Sequence, residues 1–211
     1  MELFDAATWE TLDGFLGHLP RPVKLVVWGD QDGGRFEEEA IRLARALAER
    51  FSSVSFERRP RQPDYPYYPV VGIMGVDGAE TLDYHVRFIG LPAGYQINAL
   101  VGAIQAVSFR ASNLEARTRI HLNRLPADAQ VDLEVFTTAE NEAGPLVATL
   151  AAGLAIASSQ VRAFVIMVDI FPQAAVRYSV RNVPHTVING RVHVEGMVDE
   201  AGMLRQIARS L

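Results

Sequence analysis

The 211 residues contain no cysteine. That absence excludes a disulfide framework, thiolate metal ligation and any thiol nucleophile, so it bears on mechanism while saying nothing about compartment. No apolar run reaches the roughly 18 residues that read as a membrane-spanning helix. The start, Met1-Glu2-Leu3-Phe4-Asp5, has neither the basic opening nor the apolar core of a secretory signal, so a cytoplasmic protein is expected. Cations are in the minority: 20 Lys and Arg stand against 25 Asp and Glu, a net charge of −5. That balance argues against nucleic acid or a membrane surface as the main partner. With 49% hydrophobic and 21% charged residues, the remainder is an ordinary globular composition, long enough for one large or two small domains.

What is present is a repeat with a period of about one hundred residues. In the first half, helical spacing of Trp9, Leu12, Phe15, Leu16 and Leu19 predicts a helix from Ala6, stopped by Pro20 and Pro22. A buried strand (23–28), a helix (36–51) and a short strand (54–57) follow. Prolines 60, 63 and 66 then exclude a helix, and Tyr68-Pro69 opens a hairpin (strands 70–74 and 85–89) turning at Val76-Asp77-Gly78. A helix over 95–109 closes the half. Ser112-Asn113-Leu114-Glu115 reads as a capping box starting a helix that runs to about Leu125. The second half repeats the order: strand 131–136, helix 145–157, strand 161–168, helix 171–180, hairpin, and helix 199–210. Its hairpin opens at Val183-Pro184, and Asn189-Gly190 tolerates the positive φ of a tight turn.

An X-Pro step directly before a hairpin, after strand, helix, strand and helix, resembles the thioredoxin and glutaredoxin superfamily. The likeness is greatest to the two-domain protein disulfide oxidoreductases and to the N-terminal domain of the alkyl hydroperoxide reductase flavoprotein subunit. Gly90-Leu91-Pro92-Ala93-Gly94-Tyr95 is similar to a segment of both families, so the resemblance covers nearly the whole chain. It implies an α/β fold of two tandem thioredoxin-like units, 1–110 and 111–211, each a mixed sheet flanked by helices with a cis-Pro hairpin. Pro69 and Pro184 are then cis, and the two sheets pair or pack into one core. The first unit is degenerate, with a Pro-rich loop in place of its middle helix.

Where those families place Cys-x-x-Cys, this chain reads Asn141-Glu142-Ala143-Gly144, followed by the family's Pro145. The resemblance puts Asn141 at or near a helix N-cap, Gly144 about a turn along and Pro184 across from both. A thiolate at a helix N-terminus is what these enzymes use, and neither half has one. The expected protein is a redox-inactive relative; a cysteine-free engineered enzyme is the other reading, although engineering would favour Ser or Ala over Asn and Gly. Cysteines installed at 141 and 144 are expected to close a reversible disulfide with little loss of stability, the risk being a positive φ at Gly144.

No cofactor and no metal site is expected. The Gly29–Gly34 loop has the glycines of an anion cradle, but Asp30 and Asp32 repel phosphate and read as caps of the following helix. His185 and His193 point to opposite faces if Ile188 pairs with Arg191, so they share no metal. The run from Arg58 to Tyr68 is the most unusual surface stretch. Arg58, Arg59, Arg61, Tyr65, Tyr67 and Tyr68 form either a docking loop for a protein or peptide partner, or a solvated loop whose tyrosines pack over the sheet edge. Together with Pro69, Val183 and Pro184 they are the candidate partner-binding residues, because thioredoxin folds pair an extended segment beside the cis-proline. The leading expectation is therefore a non-enzymatic binding or scaffold module, ending at Leu211 without the flavoprotein that follows in the reductase. The alternative is a redox accessory whose thiols come from a partner or from a small thiol held at the Pro184 groove.

Overall fold

Side-chain alternation along the strands sets the architecture, because successive residues of a strand face opposite sides. In the computed structural model, which describes residues 3–30 and 33–211, eight strands form one sheet in the order β2-β1-β3-β4-β6-β5-β7-β8. The first half supplies β1 (Val23–Trp28), β2 (Val54–Arg59), β3 (Val70–Asp77) and β4 (Glu80–Ile89). The second supplies β5 (Val131–Thr137), β6 (Val161–Met167), β7 (His185–Ile188) and β8 (Val192–Glu195). Each half pairs its first strand parallel to the second and antiparallel to the third, and its third antiparallel to the fourth. A parallel junction, Val86 opposite Ala163 through Ile89 opposite Ile166, joins the two sets. The sheets pair into one, as expected.

Leu25, Val27, Val86, Phe88, Leu133, Val135, Ala163 and Val165 face one side of the sheet. There they meet the apolar stripes of α1 (Ala6–Leu16), α2 (Arg35–Arg50), α3 (Gln96–Phe109), α4 (Ala116–Leu122), α5 (Gly144–Ala157) and α7 (Glu200–Ser210). The opposite side carries Val26, Trp28, Ile89, Phe136, Ile166 and Val187. Its cover is thin: α6 (Pro172–Arg177) over the second half and the Pro-rich segment with Tyr65, Tyr67 and Tyr68 over the first. This asymmetry leaves a cleft over the junction.

Both Tyr68-Pro69 and Val183-Pro184 are cis. The halves repeat down to the hairpin ends: Gly90 donates its N–H to the Pro69 carbonyl and Gly196 to that of Pro184, both at 2.8 Å.

Three local expectations need correction. The capping box does not form: α4 starts at Ala116 with no side-chain cap bond, and the buried Ser112 hydroxyl has no hydrogen-bond partner among the described residues. The first hairpin turns later, with Asp77 opposite Glu80, and its return strand begins at Glu80. A bulge around His85, φ 56°, lets that strand switch from a polar projecting ribbon to a buried core strand. In the second hairpin Ile188 pairs with Val192, so three residues turn instead of two. A one-residue slip exchanges faces along a whole strand. His185 and His193 therefore lie on the same face, with His185 Nε2 and His193 Nδ1 2.9 Å apart.

Candidate functional site

The segment that the sequence resemblance matches to Cys-x-x-Cys runs from the end of β5 into α5. Asn141 sits two residues before the N-cap, Ala143, and Gly144 is the first helical residue. The Asn141 side-chain amide donates to the Val183 carbonyl at 2.9 Å. Asn141 therefore faces the Pro184 loop as expected, but it occupies the carbonyl just before the cis-proline.

The first half closes over the same segment. Tyr95 N–H donates to the Ala139 carbonyl at 2.9 Å. Gly94, φ 56°, is needed there, because a Cβ would overlap the Ala139 carbonyl. Next along, the Gln96 side chain is completely buried, and its amide donates to the carbonyls of Thr138 at 3.0 Å and Asn141 at 3.1 Å. Gln96 and Thr137 fill the space in front of Gly144. A Cβ built at Gly144 would lie 2.5 Å from Gln96 Nε2 and closer still to Thr137 Oγ1. The expectation that cysteine fits here is thus corrected, and the obstacle is side-chain crowding; Gly144 is not among the positive-φ residues.

In the first half, Asp30 is not a helix cap, and Asp32 lies outside the described residues. Gly34 caps α2 without a side-chain bond. The organising group is the buried carboxylate of Glu37, which accepts from the Asp30 N–H at 2.7 Å and from the Arg61 guanidinium. Gly29 and Gly33 are small because a Cβ at either would meet that carboxylate.

The Arg58–Tyr68 stretch is tied down at most of its candidate residues. Arg61 bonds Glu37, and Arg59 bonds Glu57 at 2.7 Å. Tyr65 packs on Trp28 with ring centroids 5.6 Å apart, and its hydroxyl accepts from Arg87 Nε at 2.9 Å. Tyr67 stacks on Phe171 across the junction at 5.1 Å. The Tyr68 hydroxyl bonds the Gln62 backbone. These rings are half-buried, and Arg58 is exposed. Val183 is half-buried and Pro184 and Pro69 are buried.

Around the crowded Gly144, the surface is apolar. Tyr95 (46% exposed), Leu146 (65%) and Met197 (66%) line one shallow hollow with Pro145, Asn98 and Glu142.

The thinly covered side holds a cleft of about 520 Å³ between the two halves. Its floor is Ile89, Phe164, Ile166 and Ala174, and its walls include Tyr65, Tyr67 and Tyr178. Arg162 on β6 makes a bidentate pair with Asp132 on β5 at 2.6 and 2.5 Å. Arg87 pairs with Asp83 at 3.0 and 2.5 Å. Among the described residues, Glu134 has only the Tyr178 hydroxyl, at 3.0 Å. Burial pushes the Glu134 carboxyl above its ordinary range, partly opposed by that hydrogen bond.

The His185–His193 pair shares a face, contrary to expectation, but no group of three or more His, Cys, Asp or Glu that could hold a metal exists among the described residues. Burial and the neighbouring His193 both hold the His185 pKa down. Among the described residues no helix is long and apolar enough to cross a membrane.

A sheet in which each half repeats the same strand pairing, with a cis-proline hairpin in both and no cysteine in the chain, defines a tandem thioredoxin-like fold without a dithiol. Residues 146–209 match the family model of the thioredoxin domain. The N-terminal N/C domain of the alkylhydroperoxide reductase AhpF from Enterococcus faecalis is similar in structure, with TM-score 0.86 and 19% identity over 97% of this chain and 99% of that one. A cysteine-to-alanine mutant of AhpF from the same organism gives 0.87 and 20% identity over 98% and 100%. The protein disulfide oxidoreductase of Aeropyrum pernix K1 gives 0.84 and 24% identity over 98% and 93%. Comparison with curated proteins gives no significant match. The domain match covers residues 146–209, and the structural likeness shows a thioredoxin-like fold, shared with a disulfide oxidoreductase, over both halves.

Proposed function

We propose that this chain is a non-enzymatic protein-binding module of two thioredoxin-like units, 1–110 and 111–211, that docks a partner on the rim of the former dithiol site. The observation that carries the reading is the exposed apolar trio Tyr95, Leu146 and Met197 around Pro145. Large apolar side chains gathered at one spot on a soluble surface mark interaction sites more often than isolated ones do. Two halves contribute to the hollow, Tyr95 from the first and Leu146 and Met197 from the second. Val183 and Pro184, bonded through their carbonyls to Asn141 and Gly196, remain candidate contacts, and Arg58, Arg59, Arg61, Tyr65, Tyr67, Tyr68 and Pro69 form a second candidate contact on the first half.

The reading differs from strand addition at the cis-proline, since Asn141 already holds the Val183 carbonyl. The same bond and the crowding at Gly144 speak against a small thiol bound in that groove. AhpF and the disulfide oxidoreductase are named for redox proteins, which makes a partner from thiol or peroxide metabolism the first to try. The test is quantitative capture of such a partner by the wild-type chain and by Leu146→Asp with Met197→Asp. Loss of capture with an unchanged circular dichroism spectrum supports docking at the rim. Equal capture refutes it.

A further inference from the structure

We propose that the cleft between the two halves is a binding site for an organic ammonium group, with Glu134 as counter-ion and the rings of Phe164, Tyr178, Tyr65 and Tyr67 around it. The proposal concerns the face of the sheet opposite the main helical layer and does not rest on partner capture at the former dithiol rim.

The charges of the cleft are unevenly satisfied. Asp132 has Arg162, and Asp83 has Arg87, each in a two-bond pair. Those two guanidinium groups are therefore committed, and Arg87 is further occupied by the Tyr65 hydroxyl. Glu134 lies on the same face of the sheet, in register with Phe164, which separates it from Arg87 in the same row, and has no ion pair among the described residues. A half-buried carboxylate with one neutral partner is costly to ionise, and a cation entering the cleft would offset that cost. Among the described residues, Arg177 is the one guanidinium of the lining without a carboxylate within pairing distance; it lies over the Tyr178 ring at 5.6 Å and acts on Glu134 only through space, where its charge does not offset the effect of burial.

The rings supply the second part of the recognition. Faces of tyrosine and phenylalanine attract ammonium groups, and such cages with a nearby carboxylate are a common way to hold them. Arg162 already lies over the Phe164 ring at 5.7 Å, so these rings do engage cations here. A metal is a poor fit, since the carboxylates of the lining without an ion pair are Asp64 and Glu134 alone, no group of three or more ligating side chains exists among the described residues, and hard cations take six or more oxygens. An anion is a poor fit because two of the three lining arginines are neutralised. A volume of about 520 Å³ accepts either a free small ammonium compound or a lysine side chain presented by a protein.

The test is calorimetric titration of the full chain with choline, with N-acetyl-lysine amide and with 3,3-dimethyl-1-butanol, the neutral shape mimic of choline. Binding of either ammonium probe, absence of binding by the alcohol, and a loss of at least about tenfold in Glu134→Gln are expected, as for a charge-assisted contact. Preference for choline indicates a free small ligand, and preference for the lysine probe a side chain. A second readout uses the unmodified protein: the Glu134 carboxyl carbon, followed by NMR, should titrate at lower pH when the probe is bound. Equal binding by Glu134→Gln, equal binding by the alcohol, an unmoved Glu134 titration, or no binding by either ammonium probe overturns the proposal.

Discussion

The side-chain amide of Asn141 donates to the backbone carbonyl of Val183 at 2.9 Å. One hydrogen bond thus joins the position matched to the first thiol of the resembling enzymes to the residue before the cis-proline, and it satisfies the acceptor that an extended segment would need there. Gln96 completes the replacement from the other half by bonding the Thr138 and Asn141 carbonyls. The corner that the sequence resemblance matches to a dithiol is a packed polar joint in this chain.

That joint predicts a cost at Gly144. Gly144→Ala places a methyl group against Gln96 and Thr137 and is expected to lower stability by about 1–3 kcal/mol, the range of overpacked sites. Urea unfolding measures it. The double change Asn141→Cys with Gly144→Cys should likewise destabilise, so an undiminished midpoint would contradict the crowding.

Gln96 is the second test. Gln96→Leu keeps the volume but removes one of the two donors to each of the Thr138 and Asn141 carbonyls, which keep the N–H groups of Asn141 and Gly144, so a loss of about 0.5–1.5 kcal/mol is expected. Because Gln96 belongs to the first half and its acceptors to the second, the same variant should loosen the two halves against each other. Faster hydrogen exchange at residues 138–144 in Gln96→Leu would report it.

Much of this frame was legible and part was not, for reasons that can be named. Val-Pro and Tyr-Pro before short β-branched runs announced both hairpins, because proline and Asn-Gly or Asp-Gly turns act locally. Gln96 was invisible, since one glutamine on a helix carries no periodic signal and its acceptors lie over forty residues away. Glu134 is one of the alternating polar positions of Val131–Phe136, and only the junction of β4 with β6 turns that face into the wall of a cleft. The histidines failed on one residue of turn length. Arg61 and the tyrosines stand in the sequence between a docking loop and a loop packed over the sheet edge; Glu37, Trp28 and Phe171 hold most of them inward, which agrees with the packed alternative for the rings.

His185 predicts a pH dependence. Its folded-state pKa lies below the ordinary 6.5, chiefly through burial and secondarily through His193. The unfolded chain then binds the proton more readily than the folded one. Its contribution to stability is full above pH 6.5 and is lost as the pH falls from there toward the folded pKa. His185→Asn should flatten that slope in unfolding experiments across the acidic range. An unchanged slope would assign it to other groups.

Glu134 has the opposite sign. Its folded pKa is raised above 4.5, first by burial, so the stability attached to its protonated form is lost as the pH rises through the folded value. Glu134→Gln, which keeps an acceptor for Tyr178, should therefore be at least as stable as wild type at neutral pH. A clear loss there would mean that the carboxylate charge is needed for folding.

The central claim is that the former dithiol face binds a partner and performs no thiol chemistry. A photo-crosslinking side chain at Leu146, compared in the native source cells with the same group at the still more exposed Val176 on α6, tests it most directly. The account predicts one discrete crosslinked partner at Leu146, none at Val176, and no disulfide reduction above the uncatalysed rate by the purified chain with dithiothreitol or glutathione. Crosslinks that are the same at both positions, or turnover with either reductant, would contradict it.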